Sequence, residues 1–425
     1  MLTARVGTLA MVATTVLGAS PLAAQQTNAS VGAYGMGGNY TAMARNADAV
    51  AWNPAALSLK STRPFSISLL NMGYSLGLDP VRMADLKEFS GITIPASTRQ
   101  KWLTAVRADG KEAGGGDLGI NWLAMNIGRF GVQASTTITG KADLNGDAFE
   151  AIFFGNAGAT GQPKDLNFAG SSFRTGVLST FAASYAIPLG DGKNGVEQGI
   201  GVTGKMVMGH FLAMAQDNGT AITTNNIAVK FPIVHTNTDK VGNSGSGFGL
   251  DLGYVRKAGA TTLAASVRNI VNSFAWNTSA MVARVGSANF DGTTNSSNFD
   301  EAAYSTAPSV IRQAVSAYQL KPSLAVGIAH DYSKDVTVTV DLQQQFGDDA
   351  AMLIGPKTQV GAGVEYRGLS ALPLRAGASY ITNGFAVSGG TSLHLGSSEL
   401  GLGVRYRSLS GSSDIGLMFS LLAIR

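Results

Sequence analysis

The side chains best suited to chemistry in this chain are scattered. Four histidines, His210, His235, His330 and His394, lie far apart, and none has a metal-ligating partner at helical or hairpin spacing. There is no cysteine, so no disulfide, thiolate metal site or Cys nucleophile can form. No GxSxG, HExxH or Walker-type GK[ST] run is present. Asp143, Asn145 and Asp147 have the opening spacing of a calcium loop. The Gly and Glu that such a loop needs further on are missing, so the stretch reads as a turn. Gly35-Met36-Gly37-Gly38 echoes a dinucleotide loop without the strand that must precede one. These residues point away from an enzyme, a metal and a cofactor, although a Ser-His pair assembled from distant positions would leave no local signature. A net charge of +4 without a Lys/Arg cluster also points away from nucleic acid.

The charges that remain fall into a pattern once the strands are drawn. Val336, Val338, Val340 and Leu342 alternate with Thr337, Thr339, Asp341 and Gln343, and Leu400, Leu402, Val404 and Tyr406 alternate with Gly401, Gly403, Arg405 and Arg407. Successive strand side chains point to opposite faces, so each segment has an apolar face and a small or polar one. The polar face carries Lys205, Asp251, Arg268, Asp331, Asp341, Glu365, Arg375, Glu399, Arg405 and Arg407, five of each sign. A ring of one sign would suit an ion-selective pore. A balanced set suits ion pairs and hydrogen bonds that fill an interior or grip something within it.

A soluble sandwich would also alternate, but three features favour a membrane barrel. Charged residues are only 14% of the chain, against about 25% in soluble domains. The strands are long, roughly ten residues, as tilted membrane strands are. Tyr254, Tyr332, Tyr366, Tyr380 and Tyr406 end apolar faces, where an aromatic girdle would stand. Past the first twenty-odd residues no apolar run reaches the roughly 18 residues of a spanning helix. The expected fold is all-β, a transmembrane antiparallel barrel of about fourteen strands. Sixteen segments alternate, including 221–235 and 279–289 in the weaker middle, so the range is 12–16.

Residues 1–24 read as a cleaved signal peptide: Arg5 is the basic start, Val6 to Leu17 the apolar core, and Ala23-Ala24 the small-residue end. Residues 25–60 read as an N-terminal plug or hatch, and 61–425 as the barrel. Loop or short-helix insertions fall at 79–115 and 288–317. Pro95 is placed to start a helix with Trp102, Leu103 and Val106 on one side, and Pro308 to start a shorter one.

The stretch Val31 to Leu57 does not alternate. It holds Gly35-Met36-Gly37-Gly38, an Ala-rich run with Asp48, Trp52, and the stiff triplet Asn53-Pro54-Ala55. This pattern resembles the FadL/PorV-type outer-membrane family, as does the strand end Val267-Arg268-Asn269-Ile270. The resemblance implies a monomeric outer-membrane barrel with its N-terminal segment folded inside as a hatch, with gating assigned to Gly37, Gly38, Asp48, Trp52, Asn53, Pro54 and Ala55. It implies passive uptake of hydrophobic, long-chain fatty-acid-like molecules. The alternative is a PorV-like structural barrel that binds protein partners of a secretion system without moving small molecules. Membrane lipid is a partner on either reading. Two departures stand out: the chain ends Ala423-Ile424-Arg425 without a terminal aromatic, and the 79–115 insertion is long.

Overall fold

The computed structural model describes residues 30–424 apart from 156–157, 163, 191, 193, 224–225, 291–294, 348–351, 353–355, 383 and 410–411. The expected signal peptide at 1–24 lies outside the described residues. Fourteen strands form the wall: β1 Phe65–Asp79, β2 Lys111–Ile127, β3 Phe130–Asn145, β4 Ser172–Pro188, β5 Val196–Gln216, β6 Gly245–Ala258 and β7 Thr261–Asn272. They continue with β8 Ser323–Asp331, β9 Val336–Gln345, β10 Thr358–Tyr366, β11 Leu374–Ile381, β12 Gly384–Leu395, β13 Ser398–Leu409 and β14 Ser412–Ile424. Each pairs antiparallel with the next, and β14 pairs back onto β1. Closure removes the sheet edge, so every wall strand has a partner on both sides.

The wall is inverted relative to a soluble protein. Along β9 the apolar Val338, Val340 and Leu342 are 41–47% exposed, while Thr337, Thr339 and Asp341 are each 1% exposed. Only a non-aqueous surrounding makes that arrangement favourable, because each exposed apolar side chain would otherwise forgo about 1.5–3 kcal/mol of burial. Tyr254, Tyr332 and Tyr366 are exposed near one rim, and Tyr380 and Tyr406 near the other. The barrel is therefore a transmembrane one. No helix of the described residues is long and apolar enough to cross a membrane.

Two of the sixteen alternating segments are not wall strands. Residues 221–235 break into Ala221–Ile222, Ile227–Val229 and Ile233–Thr236, and residues 279–289 into Met281–Arg284 and Ser287–Phe290. Pro232 interrupts the first segment, since it has no N–H to give a ladder. Several of these pieces pair in a small separate sheet with Leu166–Asn167 and Asn295–Asn298. They satisfy the same local β preference above the rim rather than within it.

One rim carries short turns and the other long excursions. At the long-loop rim, Pro95 caps helix α4 (Ala96–Asp109), which buries Trp102, Leu103 and Val106. These residues pack on α5 (Gly146–Phe154), with the Trp102 and Phe153 rings edge to face at 5.8 Å. Pro308 caps α6 (Ser309–Ala317), whose Ile311 and Val315 join a second cluster with Trp276, Tyr318 and Leu320. The remaining helices are short: α3 (Met83–Glu88), and α1 (Val31–Gly35) and α2 (Ala49–Trp52) in the N-terminal segment.

Candidate functional site

Residues 30–59 are almost entirely buried, though they belong to no sheet. Their partners are the inward-facing side chains and carbonyls of the wall. Gly37 and Gly38 take positive φ, +68° and +82°, which turns the chain sharply after α1. Their carbonyls then accept from the wall: Gln359 Nε2 to Gly37 O at 2.9 Å and Gln343 Nε2 to Gly38 O at 2.6 Å. Asn39 Nδ2 donates to Ala362 O at 3.0 Å and to Ser379 Oγ at 3.1 Å. Thr41 N donates to Asp341 Oδ2 at 2.7 Å, and Ser388 Oγ to Gly35 O at 3.0 Å.

Further on, contact is made by shape. Asn53 Oδ1 accepts from Ala55 N at 3.1 Å, which caps the 3-10 turn Pro54–Ser58, and its Nδ2 donates to Tyr254 O at 3.0 Å. The triplet presses into a notch made by Gly201 and Gly253, which face each other across β5 and β6. A Cβ on Gly201 would stand 2.3 Å from Ala55 N, and one on Gly253 would stand 2.2 Å from Asn53 Oδ1. Trp52 is 2% exposed and meets Tyr40 edge to face at 5.6 Å. Asp48 Oδ2 accepts from Ser30 Oγ at 2.7 Å and Tyr40 OH at 3.2 Å, closing the segment on itself.

The ten inward charges are placed as follows. Lys205 pairs with Asp251 at 2.6 Å and Arg375 with Glu365 at 2.7 Å. Glu399 faces His394 at 3.4 Å, and Asp331 faces Lys257 at 3.6 Å near the short-turn rim. Asp341 serves the Thr41 backbone, and Arg405 covers the Tyr34 ring at 4.7 Å. Arg407 grips Asp414, with Ser75 at 2.8 Å and Asp117 at 3.9 Å. Arg268 Nε and Nη1 have no hydrogen-bond partner among the described residues. Asp117, Asp414, Asn39, Tyr34 and Gln359 were not singled out from the sequence, whereas Gln343 already stood on the polar face of its strand. The alternation did place Asp117 one step from Leu118 and Asp414 one step from Ile415, which puts both on the inner face. Asn39 and Tyr34 had no such signal, because the segment that carries them has no period.

The segment divides the lumen. On the long-loop side a cavity of about 100 Å3 is bordered by Val50, Ala51, Lys205, Arg268, Gln344 and Met352, among others. On the short-turn side a chamber of about 270 Å3 is bordered by Arg45, Ala47, Asp48, Asp331, Glu365 and Glu399, among others. Residues 47–51 touch both. An apolar cleft on the outer wall, with Phe181, Met206, Phe248 and Val271, shares Ala182 and Lys205 with the first cavity.

No family model matches the chain, and none of the curated proteins does. Solved structures do. The P. putida toluene transporter TodX is similar over 95% of this chain and 99% of its own, with a TM-score of 0.54 and 15% identity. The Ralstonia pickettii toluene transporter TbuX matches over 96% and 99%, with a TM-score of 0.52 and 12% identity. A Pseudomonas aeruginosa FadL homologue covers the same shares, with a TM-score of 0.50 and 12% identity. At such identity the likeness is one of fold, and it runs the length of the barrel. With fourteen strands closed in order and an apolar outer face, the chain has the fold of the FadL-type channels.

Proposed function

We propose that the protein is an outer-membrane channel for passive uptake of hydrophobic small molecules, closed at rest by its N-terminal segment. The long-loop rim is then extracellular and the short-turn rim periplasmic, as in single-chain outer-membrane barrels. The observation that carries the reading is the thinness of the barrier: residues 47–51 separate the two cavities. A ligand reaches the apolar cluster of Trp276, Tyr318 and Leu320 at the outer mouth and passes to the cavity beneath. Displacement of α2 about the Asn53-Pro54-Ala55 wedge joins that cavity to the periplasmic chamber. Gly37, Gly38 and Asp48 hold the segment's own shape while this happens. Hydrophobic cargo is supported by the naming of TodX and TbuX as toluene transporters. It is supported also by inward charges that are mostly paired, with no ring of one sign.

Deletion of residues 31–57 tests this directly. In a folded barrel the deletion is expected to raise both single-channel conductance and the flux of a hydrophobic probe into liposomes. A folded barrel with both quantities unchanged would refute the gate.

A further inference from the structure

A chain of hydrogen bonds crosses the outer face of the wall. Trp122, half exposed on β2, donates from Nε1 to Thr136 Oγ1 at 2.9 Å. Thr136 Oγ1 lies 2.9 Å from Ser179 Oγ, and Ser179 Oγ lies 2.7 Å from His210 Nε2. The residues stand on consecutive strands, β2 to β5. An indole N–H can only donate, and that sets the direction of the chain. When each hydroxyl accepts one proton and donates one, Ser179 donates to Nε2 and the neutral His210 ring carries its proton on Nδ1. Nδ1 has no hydrogen-bond partner among the described residues, and it is not one of the buried polar atoms left unpaired. The chain therefore ends in an accessible donor.

The backbone sets that donor at the edge of the hydrocarbon. Pairing between β4 and β5 slips from Leu178↔Gly209 to Val177↔Phe211, and His210 is the extra residue of the bulge. Gly242 N and Ser244 Oγ, in the loop that leads into β6, donate to its carbonyl. Gly245, which opens β6, pairs with Gly209. The stretch Gly245–Tyr254 has the roughly 9–11 residues with which a tilted strand crosses the hydrocarbon. Tyr254 ends it in the girdle on the short-turn side. His210 thus stands at the opposite limit, where hydrocarbon gives way to lipid ester groups.

Below it on the same face lies the apolar cleft, about 640 Å3, with Phe181, Met206, Phe248 and Val271 as its sides. Ala183, Gly204 and Leu250 lie side by side in register across it. Met206 shares β5 with His210, and Phe181 is two residues from Ser179 on β4. A Cβ on Gly204 would meet nothing within 4 Å, whereas one on Gly201 would strike Ala55. Packing within the barrel therefore does not require Gly204. Glycine weakens a strand and often marks the close approach of a ligand. Lys205 closes the cleft toward the lumen, held by Asp251 and Asn269, each at 2.6 Å. It is the one charged residue among those lining the cleft, so a lipid held here is gripped by its chain and an acceptor oxygen rather than by its phosphate. We propose that the cleft binds one acyl chain of a phospholipid from the leaflet on the long-loop side, whose ester carbonyl accepts from His210 Nδ1. The site is on the outside of the wall and does not rest on the uptake reading.

Native mass spectrometry of the detergent-solubilised protein tests the proposal. The probes are dipalmitoyl phosphatidylethanolamine and its dihexadecyl ether analogue, which lacks the ester carbonyls. The wild type is expected to retain one ester phospholipid, at an occupancy at least fivefold above that of the ether. Gly204→Leu fills the cleft and should lose both lipids. His210→Phe keeps a ring without an N–H and should retain the two lipids equally. Folded-barrel gel mobility reports that each variant is intact. If a variant does not fold, equal wild-type occupancies for ester and ether still overturn the proposal. It is overturned also by absent retention in the wild type, by unchanged retention in a folded Gly204→Leu protein, or by an ester preference that survives His210→Phe. Flux of a hydrophobic probe into liposomes should be the same for Gly204→Leu as for the wild type. Loss of flux on filling the cleft would make it a cargo path and overturn the lipid site.

Discussion

The two halves of the N-terminal segment are held in the barrel by different means. Gly35–Thr41 is fastened by directional bonds: carbonyls of Gly35, Gly37 and Gly38, the Asn39 amide and the Thr41 N–H all meet wall groups. Ala47–Ala55 is seated mainly by shape. Val50 stands over Gly131, the triplet fills the Gly201–Gly253 notch, and the bonds to wall groups include Ala47 N to Ser66 Oγ at 2.9 Å and Asn53 Nδ2 to Tyr254 O. Buried hydrogen bonds are specific and leave costly orphans when broken, by about 1–3 kcal/mol for each group stranded. Close packing has no such partner list, and a ligand that supplies new contacts can replace it. On the proposed gating, the first half is the anchor and the second the piece that moves.

The largest effect should come from spoiling the seat of the second half. Gly201→Leu places a side chain where the backbone of Pro54 and Ala55 now runs, so it should dislodge the wedge and produce a standing leak in planar-bilayer recordings. Gly363→Leu, whose Cβ would stand 3.0–3.1 Å from the Met36 side chain and carbonyl of the hydrogen-bonded first half, a milder clash than at Gly201, should leak far less. Equal conductance in the two variants would break the distinction between seat and anchor.

A smaller effect is expected from Asn39→Ala. It removes the bonds from Asn39 Nδ2 to Ala362 O and Ser379 Oγ, each worth about 0.5–1.5 kcal/mol. Hydrogen exchange should quicken at Gly37–Thr41 while Ala49–Asn53 keeps its protection. Loss of protection in both halves together would show that they open as one unit.

The smallest effect concerns the long-loop cap, which sharpens the comparison by standing outside it. The Glu150 side chain is fully buried between Arg107 and Lys164. Burial pushes its pKa up, but the Lys164 hydrogen bond, the Ala159 N–H and the Arg107 charge outweigh that and hold it below the usual 4.5. A depressed carboxylate stabilises the fold fully above its unfolded pKa, and the contribution is lost as pH falls through the lower folded value. Below about pH 4.5 the packing of α4 on α5 should therefore loosen, as read by Trp102 fluorescence, and Glu150→Gln should flatten that dependence. The conductance of the closed channel should not follow it.

Much of the wall was legible because a strand in a barrel repeats every second residue and one face meets lipid. That rule alone put Val338, Val340 and Leu342 outside and Thr337, Thr339 and Asp341 inside. It failed at 221–235 and 279–289, where Pro232 and the surrounding turns break the alternating run: Ala221–Ile222, Ile227–Val229 and Ser287–Phe290 join a small separate sheet, while Ile233–Thr236 and Met281–Arg284 pair onto the long-loop end of the wall. Local pattern does not say which sheet a strand joins. The helices at Pro95 and Pro308 were readable from proline and the spacing of apolar residues, while their packing partners were not.

The sequence by itself determined a closed, lipid-facing barrel with paired inner charges and an N-terminal segment that could not be a strand. Periodicity and composition are local quantities, and they suffice for that much. Only the tertiary structure decided which wall groups meet Gly37, Gly38 and Asn39, and that Gly201 and Gly253 form one notch. Those facts depend on register across strands and on contacts between residues hundreds of positions apart, and a one-residue change of register would turn every one of these side chains to the other face.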